Sequence, residues 1–218
     1  MNRRIALAVL TGAPLAACSV GALPPPQASL SNIQAARRGD LPRLAVGAFT
    51  PGPGAPTSMD RRIVIRAGSQ AAPKSSQRSF ARYLGDTLAT ELDNAGKLDP
   101  ASPLVVSGVI TRAHVDSGVP TGRADLTVRF TLKRAGTVVF EKDVAAHSEW
   151  SGTLIGAVAI PDAFNHYLAL FPEVVGRLIA DPTFRAAAAV RSRELVAGWG
   201  YEPSVAAFVQ AVREAAAR

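Results

Sequence analysis

The sharpest alternation in the chain is "ADLTVRFTLKR", where Leu126, Val128, Phe130 and Leu132 share one parity and Thr127, Arg129, Thr131 and Lys133 the other. A period of two with one apolar set predicts a β-strand that buries one face and wets the other. "LVVSGVITRAHV" (Leu104 to Val115) and "TVVFEKDVAAHSEW" (Thr137 to Trp150) read as its neighbours, with a turn at Ala135-Gly136, so the three predict a meander. Two earlier strands are predicted at "RLAVGAF" (Arg43 to Phe49) and "RRIVIRA" (Arg61 to Ala67), separated by the turn-rich "TPGPGAPTS".

Elsewhere the period lengthens. Phe80, Leu84, Leu88 and Leu92, with Tyr83 beside them, fall on one helical face, with Ser75 or Ser76 as candidate cap and Gly96 as candidate stop. A second helix is expected to begin near Pro161, with Phe164, Tyr167, Leu168, Phe171, Val175 and Leu178 inward and a kink at Pro172. Asp181-Pro182 closes it and opens an Ala-rich helix, and a last amphipathic helix spans roughly Ser204 to Ala217, with Phe208, Val209 and Val212 together. The order β-β-α-β-β-β-α predicts an α+β fold: two layers, a mostly antiparallel sheet with helices on one face, and a helical C-terminal tail.

The first eighteen residues, "MNRRIALAVLTGAPLAAC", fit neither period. Arg3 and Arg4 form a positive start, Ile5 to Leu10 an apolar run, and small residues follow, the pattern of a targeting segment. The run is far shorter than the roughly 20 residues that cross a bilayer. Leu15, Ala16, Ala17 and Cys18 resemble the lipobox of bacterial lipoproteins. That resemblance implies a diacylglycerol thioether at Cys18, cleavage just before it and acylation of the new amino group. Cys18 is the only cysteine, so the chain then has no free thiol for catalysis or metal binding. Ser19 after the box implies the outer membrane, with the inner membrane as the alternative. Four segments are expected: residues 1–17 as signal peptide, 18–40 as lipidated N-terminus and flexible tether, 41–190 as the α+β periplasmic domain, and 191–218 as a helical extension. The three prolines of "SVGALPPPQASLSNIQAARRGD" suggest the tether.

The segments "DRRIVIRA", "FARYLGDTLATEL", "LVVSGVITR", "EWSGTLIGAVAIP" and "LIADPTF" resemble proteobacterial periplasmic lipoproteins. More loosely, they are similar to ABC-transport auxiliary components and to YajG-like envelope lipoproteins. This implies a fold and a compartment more than an activity.

Composition changes the picture little. The formal charge of +7 falls to +5 if Arg3 and Arg4 leave with the signal peptide, a balance that suits an anionic neighbour and is also common in soluble proteins. Aromatic residues make up 6% of the chain, too few for the stacking platforms of a nucleic-acid binder, so no nucleic-acid partner is expected. No catalytic motif is present: G-x-S-x-G and Walker patterns are missing, and "PGPGAP" puts prolines where a phosphate cradle needs N–H groups. His147 and Glu149 project from one strand face with His114 a candidate neighbour, but the set lacks the C-x-x-C of a zinc deaminase, so neither a metal nor a cofactor is expected. Arg61, Arg62, Arg66, Lys74, Arg78 and Arg82 concentrate positive charge. They form either a solvated face or a patch for phosphate headgroups or an acidic partner. "EWSGTLIGAVAIP" is uncharged from Gly152 to Ile160, and reads either as a buried connection or as an apolar flap. The candidate contact residues are therefore Trp150, Leu154, Ile155, Arg62 and Arg66.

The reading is a non-enzymatic, lipid-anchored periplasmic protein that binds an envelope protein partner in assembly or transport. The alternative is a carrier or sensor of a lipid or other apolar ligand, with a cavity bordered by Trp150, Leu154, Ile155 and Phe171.

Overall fold

The computed structural model describes residues 23–38, 41–53, 55, 60–66, 69–71, 79–197, 210 and 213. The lipobox, Lys74, Arg78 and nearly all of the expected last helix lie outside the described residues. The described elements are α1 (Leu30–Arg37), β1 (Ala45–Pro51), β2 (Ile63–Arg66), β3 (Ser69–Ala71), α2 (Phe80–Asn94), β4 (Leu104–Asp116), β5 (Thr121–Arg134), β6 (Thr137–Ser151), α3 (Gly156–Ala180) and α4 (Pro182–Ala197).

The expected meander supplies three strands of a four-stranded sheet in the order β1-β4-β5-β6. β4, β5 and β6 pair antiparallel, and β1 joins β4 in parallel. Ala135 and Gly136 link β5 to β6 with φ of 47° and 87°, the left-handed pair that a two-residue hairpin requires. Along β5 the predicted parity holds, with Leu126, Val128, Phe130 and Leu132 buried on the face that α3 covers. The fold is α+β, with the helices on one side of a mostly antiparallel open sheet. Between the layers, Leu84, Leu88 and Leu92 of α2 meet Phe171, Val174, Val175 and Leu178 of α3 in one core. Phe80, Tyr83, Tyr167 and Phe171 close its upper part, three of the ring pairs edge to face at centroid distances of 5.3–5.4 Å.

Several boundaries differ from expectation. Ser79, not Ser75 or Ser76, caps α2, its hydroxyl accepting from Arg82 N at 3.0 Å. Gly96, at φ 71°, ends the helix as expected. α3 starts at Gly156, five residues before Pro161, and is a single helix containing both Pro161 and Pro172. Each proline removes one backbone donor, whereas the added turns bury Ala159 and Ile160 in the core. The uncharged stretch is thus partly helix, not a connecting strap.

The expected tether, residues 18–40, also contains ordered structure. Leu23 is buried and α1 docks against α2 and α3. Ser29 caps α1 and donates its own N–H to both carboxylate oxygens of Glu91, at 3.0 and 3.1 Å. Asn32 Nδ2 bridges Glu91 Oε1 at 2.9 Å and the carbonyl of Pro172 at 2.8 Å. Gly176 makes room for this bridge, since a Cβ there would collide with the Asn32 amide. Three proline residues with no period hid an eight-residue helix held by long-range polar bonds.

At the other end, Asp181 Oδ1 accepts from the N–H groups of Thr183 and Phe184 at 2.8 and 3.0 Å and starts α4, which runs across the boundary drawn at residue 190. Lys142 reaches Asp181 at 2.6 Å, and Arg134 donates to the carbonyl of Ala187 at 2.7 Å, so the sheet holds the start of α4.

Candidate functional site

One end of the domain collects four of the sequence's candidates, Arg62, Arg66, Leu154 and Ile155. On β2, Ile63 and Ile65 are buried, and the opposite parity turns Val64 and Arg62 to solvent with Arg66 half-buried beside them. Arg66 Nη1 donates to the carbonyl of Thr153 at 3.1 Å and ties this strand to the segment entering α3. Gly152 N donates to the carbonyl of Pro120 at 2.7 Å, bringing in the loop of residues 117–120. Gly152 has no alternative, because a Cβ would overlap the Gly118 carbonyl. Leu154, Ile155 and Val158 are 78%, 64% and 56% exposed, and Val119 and Val64 are also exposed. Five apolar side chains with Arg62 and Arg66 therefore form a shoulder at the start of α3. Ile155 stands at the N-cap with no side-chain hydrogen bond to the helix, so this end carries no polar cap.

Trp150 has a different role from the other candidates. It lies across Gly122 on β5, whose missing side chain leaves the indole its seat, and it stacks on His166 of α3 with centroids 4.2 Å apart. Ser148 Oγ lies 2.9 Å from His166 Nδ1, and Asp162 Oδ1 lies 3.8 Å from His166 Nε2. Trp150 props β6 against α3 and is only partly accessible. Sequence reasoning missed Ser148, His166 and Asp162 as a group, because no spacing rule joins a strand residue to a helix residue eighteen positions on. The trio is not a hydrolase triad. Ser148 stands inside a regular strand instead of on a sharp turn, and Asp162 is beyond hydrogen-bond reach of the ring.

The other histidine candidates face outward on the open side of the sheet. Asp125 lies 2.8 Å from His147 Nδ1 and 3.4 Å from Arg112, and Glu149 lies 3.3 Å from His147 Nε2 and 3.0 Å from Arg123. His114 is Asp125's partner in the β4–β5 register. The hydrogen bond with Asp125, and a weaker one with Glu149, raise the His147 pKa above its ordinary 6.5. This is a ladder of exposed cross-strand pairs, each of small energy. Among the described residues no group of three or more His, Cys, Asp or Glu is placed to hold a metal ion.

Arg82 separates from the rest of the basic set. It lines a groove of about 420 Å³ between β1 and α2 with Val46, Gly47, Ala48, Phe49, Gly85, Asp86 and Ala89. The expected apolar cavity does not assemble: Phe171 is fully buried among aromatic rings, whereas Leu154 and Ile155 point to solvent. The interstice beside Tyr167, bordered by Asp60, Phe80 and Ile110, is too tight to admit a water molecule.

No family model matches the chain, and no curated protein matches it. Solved structures do resemble it. One is protein XCC0632 from Xanthomonas campestris, described as DUF330: 15% identical, TM-score 0.48, spanning 72% of this chain and 93% of that one. Another is the hypothetical protein CT253 from Chlamydia trachomatis: 12% identical, TM-score 0.37, spanning 64% of this chain and 96% of that one. No helix among the described residues is long and apolar enough to cross a membrane.

Proposed function

We propose that the chain is a lipid-anchored envelope protein that acts by binding, without catalysing a reaction, as an auxiliary component of envelope assembly or transport. The observation that carries the reading is the shoulder, where Leu154, Ile155 and Val158 remain exposed together; the exposed large apolar side chains away from it among the described residues, Leu30, Val138 and Val139, lie on α1 and at the start of β6. Leaving such residues in water costs free energy unless something covers them, which is why exposed apolar clusters rimmed by polar groups mark binding sites. Further support comes from the lipobox at Leu15 to Cys18, from the absence of a recognisable catalytic motif, and from a Ser148–His166 pair without triad geometry.

Two measurements test the reading. Metabolic labelling with an alkynyl fatty acid is expected to mark the wild-type chain and not Cys18→Ala; an unlabelled wild type overturns the anchor. A photo-crosslinking residue at Ile155, compared in living cells with one at Thr131 on the open sheet face, is expected to give adducts from the shoulder alone. Equal or absent adducts at Ile155 overturn the shoulder as the binding surface.

A further inference from the structure

We propose that the shoulder docks on an anionic membrane surface, with Leu154, Ile155, Val158 and Val119 entering the headgroup region and Arg62 and Arg66 meeting lipid phosphates. The proposal rests on the lipid-anchor reading and names what the binding surface of that reading contacts.

Three observations favour a membrane over a protein groove. The first is the chemistry of the patch. Its exposed apolar members come from three separate segments, β2, the 117–120 loop and the start of α3, and cluster at one end of the domain. Guanidinium groups accompany them: Arg62 is exposed, with no partner among the described residues, and Arg66 is half-buried, with Nη1 on the Thr153 carbonyl. Apolar tips ringed by cations are the pattern of an interfacial anchor, whose apolar part sits at the acyl boundary while its charges stay with the phosphates. Asp116, at the end of β4, is an exposed carboxylate whose side chain lies beside Gly118, so one negative charge borders the loop that carries Val119 against the two arginines.

The second is the backbone. α3 opens without a side-chain cap at Ile155, so the helix presents its positive end beside the apolar tips. That end adds to the attraction that Arg62 and Arg66 exert on phosphate.

The third is reach. Only four residues separate Cys18 from Leu23, where the chain is already buried in the domain. At about 3.5 Å per extended residue the domain surface at Leu23 stands at most about 18 Å from the lipidated residue. A body held that close meets headgroups continually, so even a weak patch gains occupancy through effective concentration.

The test uses the lipidated full-length chain. With Cys18 acylated, Leu154→Cys supplies the only free thiol and takes an environment-sensitive nitrobenzoxadiazole label. Reconstituted into vesicles rich in phosphatidylglycerol, the label is expected to brighten and shift to the blue. In pure phosphatidylcholine the response is expected to drop severalfold, and with Arg62→Gln plus Arg66→Gln it is expected to drop similarly in phosphatidylglycerol. The same label at Thr131→Cys, on the open sheet face, is expected to report water throughout. A water-like Leu154→Cys signal on anionic vesicles, in protein shown to carry its lipid, overturns membrane docking and leaves a protein as the occupant, with the anchor intact. Absence of fatty acid on Cys18 overturns the anchor instead, and the Cys18→Ser, Leu154→Cys chain mixed with the same vesicles then decides docking by itself. Circular dichroism of the double arginine variant, expected to match wild type, separates lost docking from lost folding.

Discussion

Trp150 and His166 lie face to face, ring planes 3° from parallel and centroids 4.2 Å apart, and together they lock the outer strand of the sheet to the long helix. The contact depends on a third residue, Gly122, directly under the indole. Gly122→Ala is expected to expel the ring, and Trp150→Ala to lose about 2 kcal/mol, below the 3–5 kcal/mol typical of a fully buried aromatic because Trp150 is only partly buried. In a Trp199→Phe background, which leaves Trp150 as the sole tryptophan, Gly122→Ala should red-shift the emission. Urea unfolding checks the stability loss.

Glu91 is fully buried and its carboxylate serves Ser29 N and Asn32 Nδ2 together. Glu91→Ala leaves those donors facing a void, at a cost of about 2–3 kcal/mol. Amide exchange of residues 30–37 is expected to accelerate more than that of β5. Gly176→Ala should release α1 similarly, by pushing on Asn32 from the other side. Equal acceleration everywhere would mean that Glu91 supports the whole core and not α1 in particular.

Asp181 combines a helix cap with an ion pair. Its burial favours the neutral acid, but bonds from Lys142, from the Thr183 hydroxyl and from the N–H groups of Phe184 and Thr183 outweigh that and hold the pKa well below the ordinary 3.8. Folding lowers this pKa, so the stabilisation is present above 3.8 and fades as pH falls below it towards the folded value. Asp181→Ala is expected to cost about 1–2 kcal/mol at neutral pH through loss of the cap. Asp181→Asn should recover part of that, and both deficits should shrink in unfolding curves recorded under strongly acidic conditions.

His147 gives the opposite sign. Its pKa rises on folding, chiefly through the Asp125 hydrogen bond, so the protonated ring stabilises the fold below 6.5 and the effect disappears as pH climbs through the folded value. Asp125→Asn should bring the His147 pKa down, read by NMR titration of the ring protons. His147→Gln should destabilise the protein more at mildly acidic pH than at alkaline pH.

Legibility in the sequence followed the range of the interactions. β5 could be read nearly residue by residue because its two faces differ and the turn at Ala135-Gly136 fixes the register. α2 was equally plain from Phe80, Leu84, Leu88 and Leu92, although two earlier serines, Ser75 and Ser76, competed with Ser79 for its cap. β3 and α1 were not legible. β3 is three residues of ordinary composition, and α1 exists through bonds to Glu91 and Pro172, 59 and 140 positions away from Asn32. The parallel pairing of β1 with β4 was also hidden, since strand composition does not state direction. In the candidate site, the exposure of Leu154 and Ile155 was one of two open readings of an uncharged stretch. The structure leaves Leu154 and Ile155 in solvent just ahead of α3, whose first turn also points Val158 outward. Trp150 reads from the sequence as a contact residue, and its stacking partner His166 is found only in three dimensions.

The fastening of α1 has a mechanical consequence. Tension on the chain upstream of Leu23 runs through Ser29, whose N–H grips a carboxylate rooted in α2, before it reaches any strand. The same carboxylate holds Asn32, which also grips α3. A pull on the chain ahead of α1 is therefore shared between both core helices at one point near Glu91, and the domain takes it up as a rigid load.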